Sequence, residues 1–241
     1  MSVECLSPER IWPSGLARLE ALEPRLSSTL SDVPRRHAVS LHVPGTTHSL
    51  KCMDQAIWAE ELARKLLEIP LQRRWAHVQG VAARARSLAP ILDDDADLLE
   101  AAAWLHDIGY SPDLADTGFH PLDGARYLRD VHAADPTLCR LVGNHSCAVI
   151  EAGERGLDRE LSDEFPAPAP ELSDALAYCD MTTTPTGCLV SVHERLSEIR
   201  QRYGPYDLVT RFTHKAESCL VASVTRTTFR LNSHQARAMA A

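Results

Sequence analysis

Residues 99–109 read LEAAAWLHDIG. At about 100° per residue, Leu98, Leu99, Ala102 and Leu105 share one helical face, His106 falls within it, and Asp107 follows on its flank. A helix is therefore expected from about Asp95, where acidic residues suit an N-terminus, to Asp107, with Gly109 breaking the pattern. Upstream, Ile57, Trp58, Leu62 and Leu66 have helical spacing over 53–69, with Asp54 as N-cap and Pro70 as the stop. A second helix over 71–88 turns Trp75, Val78, Ala82 and Ala85 inward, carries His77 at the edge of that face and ends at Pro90. Downstream, a polar loop over 110–119 leads to His120-Pro121, which reads as the start of a helix holding Leu122, Ala125 and Leu128. Pro136 opens another, in which Leu138, Leu141, Val142, His145 and Val149 follow one face, so that His145 points at the core.

Pro166, Pro168 and Pro170 make 153–170 read as a linker. Helices are then predicted over 171–180, 189–203 and 206–231, with a threonine-rich turn at 182–187. No repeat and no strand-like alternation appear, and the expectation is an all-α fold. Residues 1–52 carry Pro8, Pro13, Pro24, Pro34 and Pro44 and read as a poorly structured N-terminal extension. The domain is expected over 53–232 with a tail at 233–241, and Met53 is a possible functional start that would make the extension dispensable.

The 241 residues, 44% of them hydrophobic, suffice for a sizeable core. A net charge of -8 and a pI near 5.7 argue against a general nucleic-acid or membrane-surface binder. An anionic substrate would need a local basic pocket. Seven cysteines, odd in number, scattered and without a CxxC pair, read as free thiols. With neither a leader pattern nor a long apolar run, the expected compartment is the cytoplasm.

His77, His106, Asp107, His120, His145 and Asp180 together suggest a metal centre. Asp107 and Asp180 fall at predicted helix C-termini, where the macrodipole disfavours an anion by roughly 0.3–1 kcal/mol each. An unpaired imidazole directed at an apolar interior costs about 1–3 kcal/mol. Divalent cations would offset both. His120, at a helix N-terminus, is biased towards the neutral imidazole that a ligand must be. Taken singly, His77, His120 and His145 each read as structural or surface residues before they read as ligands, so the weight lies in the joint placement. Four imidazoles and two carboxylates suit Fe, Mn, Co, Ni or Zn. Six donors exceed one tetrahedral site, which favours two cations bridged by Asp107. The smaller alternative is a single cation on His77, His106, Asp107 and Asp180.

Over about residues 75–203 the chain resembles the HD-domain superfamily of metal-dependent phosphohydrolases. The resemblance is carried by His77 in RWAHVQGVA, His106 and Asp107 in AAAWLHDIGY, His120 in FHPLDGARYL, His145 in VGNHSCA and Asp180 in AYCDMTT. It implies an HD-domain helical bundle in which His77, His106, Asp107 and Asp180 hold a first metal and His120 and His145 complete a second site. The HDIG run followed by HPLDGA is most similar to the dinuclear members. Two departures stand out. Tyr110 replaces the lysine that many members carry three residues after the aspartate. Asn144 precedes His145 where the cyclic-dinucleotide phosphodiesterases of the HD-GYP type have paired histidines, so cyclic di-GMP hydrolysis is not expected.

The implied chemistry is hydrolysis of a phosphoester or phosphoanhydride bond in a nucleotide-like or other small phosphorylated substrate, with Asp107 and His106 as the catalytic pair. Lysine being scarce, Arg73, Arg74 and Arg126 are the candidate substrate contacts, although each reads more simply as part of a solvated helix face. The hydroxyls of Thr182, Thr183 and Thr184 could touch substrate or cap the preceding helix, and 111–118 could be a lid or a surface loop. Cys147, Cys179, Trp58, Trp75 and Trp104 read as packing residues. Two alternatives remain. The same ligand set serves the mixed-valent di-iron oxygenases related to myo-inositol oxygenase, though their substrate-binding lysine has no counterpart at Tyr110 or Val149. A metal-containing nucleotide-sensing module is the other.

Overall fold

In the computed structural model, which describes residues 48–240 with side chains from Gln55 onward, the helix carrying 99–105 is packed among four other helices. Within this helix, α3 (Ala96–Leu105), Leu99, Ala101, Ala102, Ala103 and Leu105 have no exposure at all. Ala101 and Ala103 lie outside the stripe read from the sequence. Because their methyl groups let neighbours approach from the far side as well, the helix is covered all round, as an apolar helix must be. Its neighbours are α1 (His48–Leu67), α2 (Gln72–Arg86), α5 (Pro136–Asn144) and α8 (Pro170–Met181). Trp75 and Trp104 stack across the α2 and α3 contact with ring centroids 5.5 Å apart, the core role expected of them.

The remaining helices are α4 (His120–His132), α6 (Ala148–Arg155), α7 (Asp158–Glu164), α9 (Val192–Tyr203) and α10 (Leu208–Ala240). Among the described residues there is no strand, only an isolated antiparallel bridge between Thr183 and Leu189, and the fold is all-α. A second apolar cluster, built from Met181, Val192, Leu196, Ile199, Phe212, Ala216 and Leu220, joins the end of α8 to α9 and α10. None of the described helices is long and apolar enough to cross a membrane.

Several boundaries differ from the sequence reading. Helix α1 already begins at His48 instead of Met53, and most of the expected extension lies outside the described residues. The supposed linker contains α7, whose Leu161 is fully buried, and the three prolines only delay the next helix to Pro170. Helix α9 starts at Val192 because Ser191 and Glu194 form a capping box that fixes the entry. Helix α10 runs through Ala240, across the boundary drawn at 232. The helix predicted over 136–149 is broken after Asn144, with consequences described below. Cys139, Cys147, Cys179 and Cys219 are free thiols, whereas Cys188 is disulfide-bonded, so the expectation of free thiols fails at that position.

Candidate metal centre

Five separate segments deliver side chains to one point. Helix α2 supplies His77 and Arg74, the end of α3 supplies His106 and Asp107, the first residue of α4 is His120, the break after α5 carries His145, and the last turn of α8 carries Asp180. The carboxylate of Asp107 is where they meet. Its Oδ2 lies 3.8 Å from His77 Nε2 and 3.4 Å from His106 Nε2. Its Oδ1 lies 3.3 Å from His120 Nε2 and 3.9 Å from His145 Nε2. Two groups of donors close enough to share an ion therefore meet at Asp107: His77 with His106 on one side, His120 with His145 on the other. Asp180 Oδ1 is 3.0 Å from His77 Nε2, on the first side.

The rings are held by their other nitrogens. Nδ1 of His77 faces the Thr184 carbonyl at 3.0 Å, that of His106 the Ala103 carbonyl at 2.8 Å, and that of His145 the Val142 carbonyl at 2.7 Å. A carbonyl can only accept, so in each ring Nδ1 carries the proton and Nε2 presents its lone pair to the centre, the tautomer of a metal-ligating histidine. His106 Nε2 is buried without a hydrogen-bond partner. An orphaned acceptor facing a buried carboxylate and three further imidazoles fits a divalent cation, and the all-nitrogen-and-oxygen donor set suits the transition metals.

The break after α5 makes this possible. Ser146 and Cys147 adopt left-handed backbone angles, with φ of 48° and 60°. Two consecutive non-glycine residues in that region cost of order 1–3 kcal/mol each and persist only where their surroundings fix them. The turn places His145 against Asp107 and lets the Ser146 hydroxyl donate to Asp180 Oδ2. A continuous helix through 149 would not present adjacent side chains this way.

Burial would push both carboxyls up, yet both are held well below the usual range. Arg74, His106 and His120 do this for Asp107, and His77 and His106 for Asp180. Burial lowers His77 and His120 and takes His145 down to about 4, keeping them neutral. His106 is the exception, because Asp107 and Asp180 outweigh burial and raise it. A proton and a cation thus compete for His106 Nε2.

Arg74 Nη1 donates to Asp107 Oδ2 at 2.6 Å, and its guanidinium lies 4.0 Å from the Tyr110 ring centroid. Tyr110 in turn stacks on His120 at 3.9 Å. The tyrosine at the position of the expected lysine is therefore a spacer between a cation and an imidazole. A cavity of about 680 Å³, its open mouth included, adjoins the centre and is lined by Arg74, Tyr110, Glu151, Arg195, Arg202 and Tyr203 among others.

Of the other arginines named from the sequence, Arg73 is exposed and lies 3.9 Å from Glu198, and Arg126 is turned to Glu160 and Glu164; neither lines this cavity. Thr182 and Thr183 donate to the carbonyls of Tyr178 and Cys179 and so cap α8. The 111–118 loop is tied down by Asp123, which accepts from Asp116 N, Thr117 N and Thr117 Oγ1. Ser146 and Arg195 are not among the site residues expected from the sequence. The sequence carries a signal for Arg195, since Val192, Arg195, Leu196 and Ile199 follow i, i+3, i+4, i+7 and place a charge inside an apolar stripe.

A family model described as HD domain matches residues 74–178. That span opens at Arg74 and contains His77, His106, Asp107, His120 and His145, with Asp180 two residues beyond its end. No curated protein and no solved structure gave a match.

Proposed function

We propose that this chain, which belongs to the HD-domain superfamily through residues 74–178, is a metal-dependent phosphohydrolase acting on a phosphoester or phosphoanhydride bond in a small phosphorylated, nucleotide-like substrate. The observation that carries the reading is the division of four imidazoles between the two oxygens of one carboxylate. His77, His106, Asp107 and Asp180 would hold one cation, and Asp107, His120 and His145 a second, with Fe, Mn, Co, Ni and Zn all compatible. Bound divalent cations would supply an activated water and neutralise charge on the phosphoryl oxygens.

The protein's own groups do the rest. Asp107, fixed by Arg74, is the carboxylate through which both halves of the site are registered, and with His106 it forms the catalytic pair. Arg74, anchored between Asp107 and Tyr110, offers its remaining N–H groups to a phosphoryl oxygen in the adjoining cavity. Ser146 steadies Asp180 from the side away from His77.

The test is turnover of a panel of phosphomonoesters, phosphodiesters and nucleotides by protein loaded separately with each of the five metals. The expected result is phosphate release that requires the cation. Absence of release across the panel, with metal demonstrably bound, would contradict the reading. Oxygen consumption by the iron form with an organic substrate would replace it with the oxygenase chemistry, and tight nucleotide binding without turnover would replace it with a sensor.

A further inference from the structure

Helix α9 brings two guanidinium groups to the wall of the cavity that adjoins the metal centre. Arg195 is 5% exposed and lines the cavity, and Asp180 senses its charge. Its Nη1 donates to Glu198 at 2.5 Å, while its Nε is buried without any partner. Arg202, two turns further along the same helix, lines the cavity as well and donates to the same Glu198 at 2.9 Å. Arg73 approaches that carboxylate from α2 at 3.9 Å. Three guanidinium groups thus share one carboxylate, leaving a local excess of positive charge on a chain whose net charge is -8.

A buried guanidinium N–H left unpaired is costly, and an apolar stripe is an unfavourable place for an arginine. Both features are explained by a ligand oxyanion. Arg195 and Arg202 both donate to Glu198 Oε2, so their guanidinium groups converge on one patch of the cavity wall, while Arg74 is held by Asp107. We propose that Arg195 and Arg202 form a second phosphate-binding site, and that the substrate carries a phosphate group besides the one that is cleaved. The proposal rests on the phosphohydrolase reading and specifies its substrate as a bisphosphorylated small molecule. No bond is made or broken at this second site, whose groups only bind and orient.

The test compares fructose 1,6-bisphosphate with fructose 6-phosphate as probes, by calorimetric titration of the metal-loaded full-length protein. The bisphosphate is expected to bind about tenfold tighter or better, since charge-assisted hydrogen bonds to the second phosphate are made only by it. Arg195→Gln and, independently, the more exposed Arg202→Gln are each expected to remove most of that preference while the metal content per chain stays at the wild-type value. Arg195→Lys restores charge without the forked N–H geometry and is expected to recover only part of it. Equal affinities for the two probes in the wild type, or a preference that survives in a folded Arg202→Gln variant, would overturn the proposal. Neither outcome would bear on metal content or on metal-dependent phosphate release, so the broader reading fails or stands separately.

Discussion

Asp107→Asn is expected to empty both halves of the metal centre and to reduce turnover by well over the ~100-fold that loss of a mere supporting partner costs. The amide nearly preserves the shape of the carboxylate but removes its charge and one acceptor. All four Nε2 atoms lie within 3.9 Å of that group, so neither half retains an anionic ligand shared with the other. Asp180→Asn provides the contrast. Asp180 pairs with His77 on one side only, so that substitution is expected to lower occupancy of one cation and leave the group formed by Asp107, His120 and His145 in place. Metal content and kcat measured on both variants, with circular dichroism to establish that each is folded, check the pair. Equal metal loss in the two would show that the site does not divide at Asp107.

Gly109→Ala is expected to destabilise the protein by about 3 kcal/mol, the upper part of the range for overpacking a well-filled site. A Cβ at this position would lie 2.0 Å from the His120 carbonyl oxygen and 2.8 Å from Gly124 N. Both are backbone atoms and cannot rotate away. Helix α4 would have to withdraw, taking His120 with it, so the side of the centre that holds His120 and His145 should lose its cation first. A lowered melting temperature together with loss of one ion per chain is the predicted result. An alanine variant with wild-type stability and metal content would mean that α4 does not approach the chain after α3 so closely.

The same short run accounts for how much could be read from the sequence. Leu98, Leu99, Ala102 and Leu105 fix the phase of α3 and place His106 on its inner face, and proline at 121, 136 and 170 marks the first turn of three helices. The six expected ligands lie on five different segments, and each of those segments carries its own periodicity or proline signal, which is why they could be placed in order. The break at Ser146 and Cys147 left no such mark. Leu138 to Val149 keep an unbroken helical pattern, and the left-handed turn is imposed by tertiary partners, the Val142 carbonyl on His145 and Asp180 on Ser146, instead of by glycine or proline. Helix α7 was hidden for a related reason. In DRELSDE only Leu161 is buried, and one buried leucine sets no period. Nothing in the sequence separates Arg74 from Arg73 and Arg126. Only the fold distinguishes it, because its partner Asp107 is 33 residues away, whereas Arg126 meets Glu160 and Glu164 on the other side of α4.

The central claim is that buried imidazoles and carboxylates from distant helices hold cations about Asp107. Its most direct test is elemental analysis of protein purified without added metal, followed by titration of the chelator-treated protein with Mn, Fe, Co, Ni and Zn. Two transition-metal ions per chain are predicted, bound by the wild type and lost from Asp107→Asn. A folded wild-type protein that purifies with none and takes up none on titration would contradict the account.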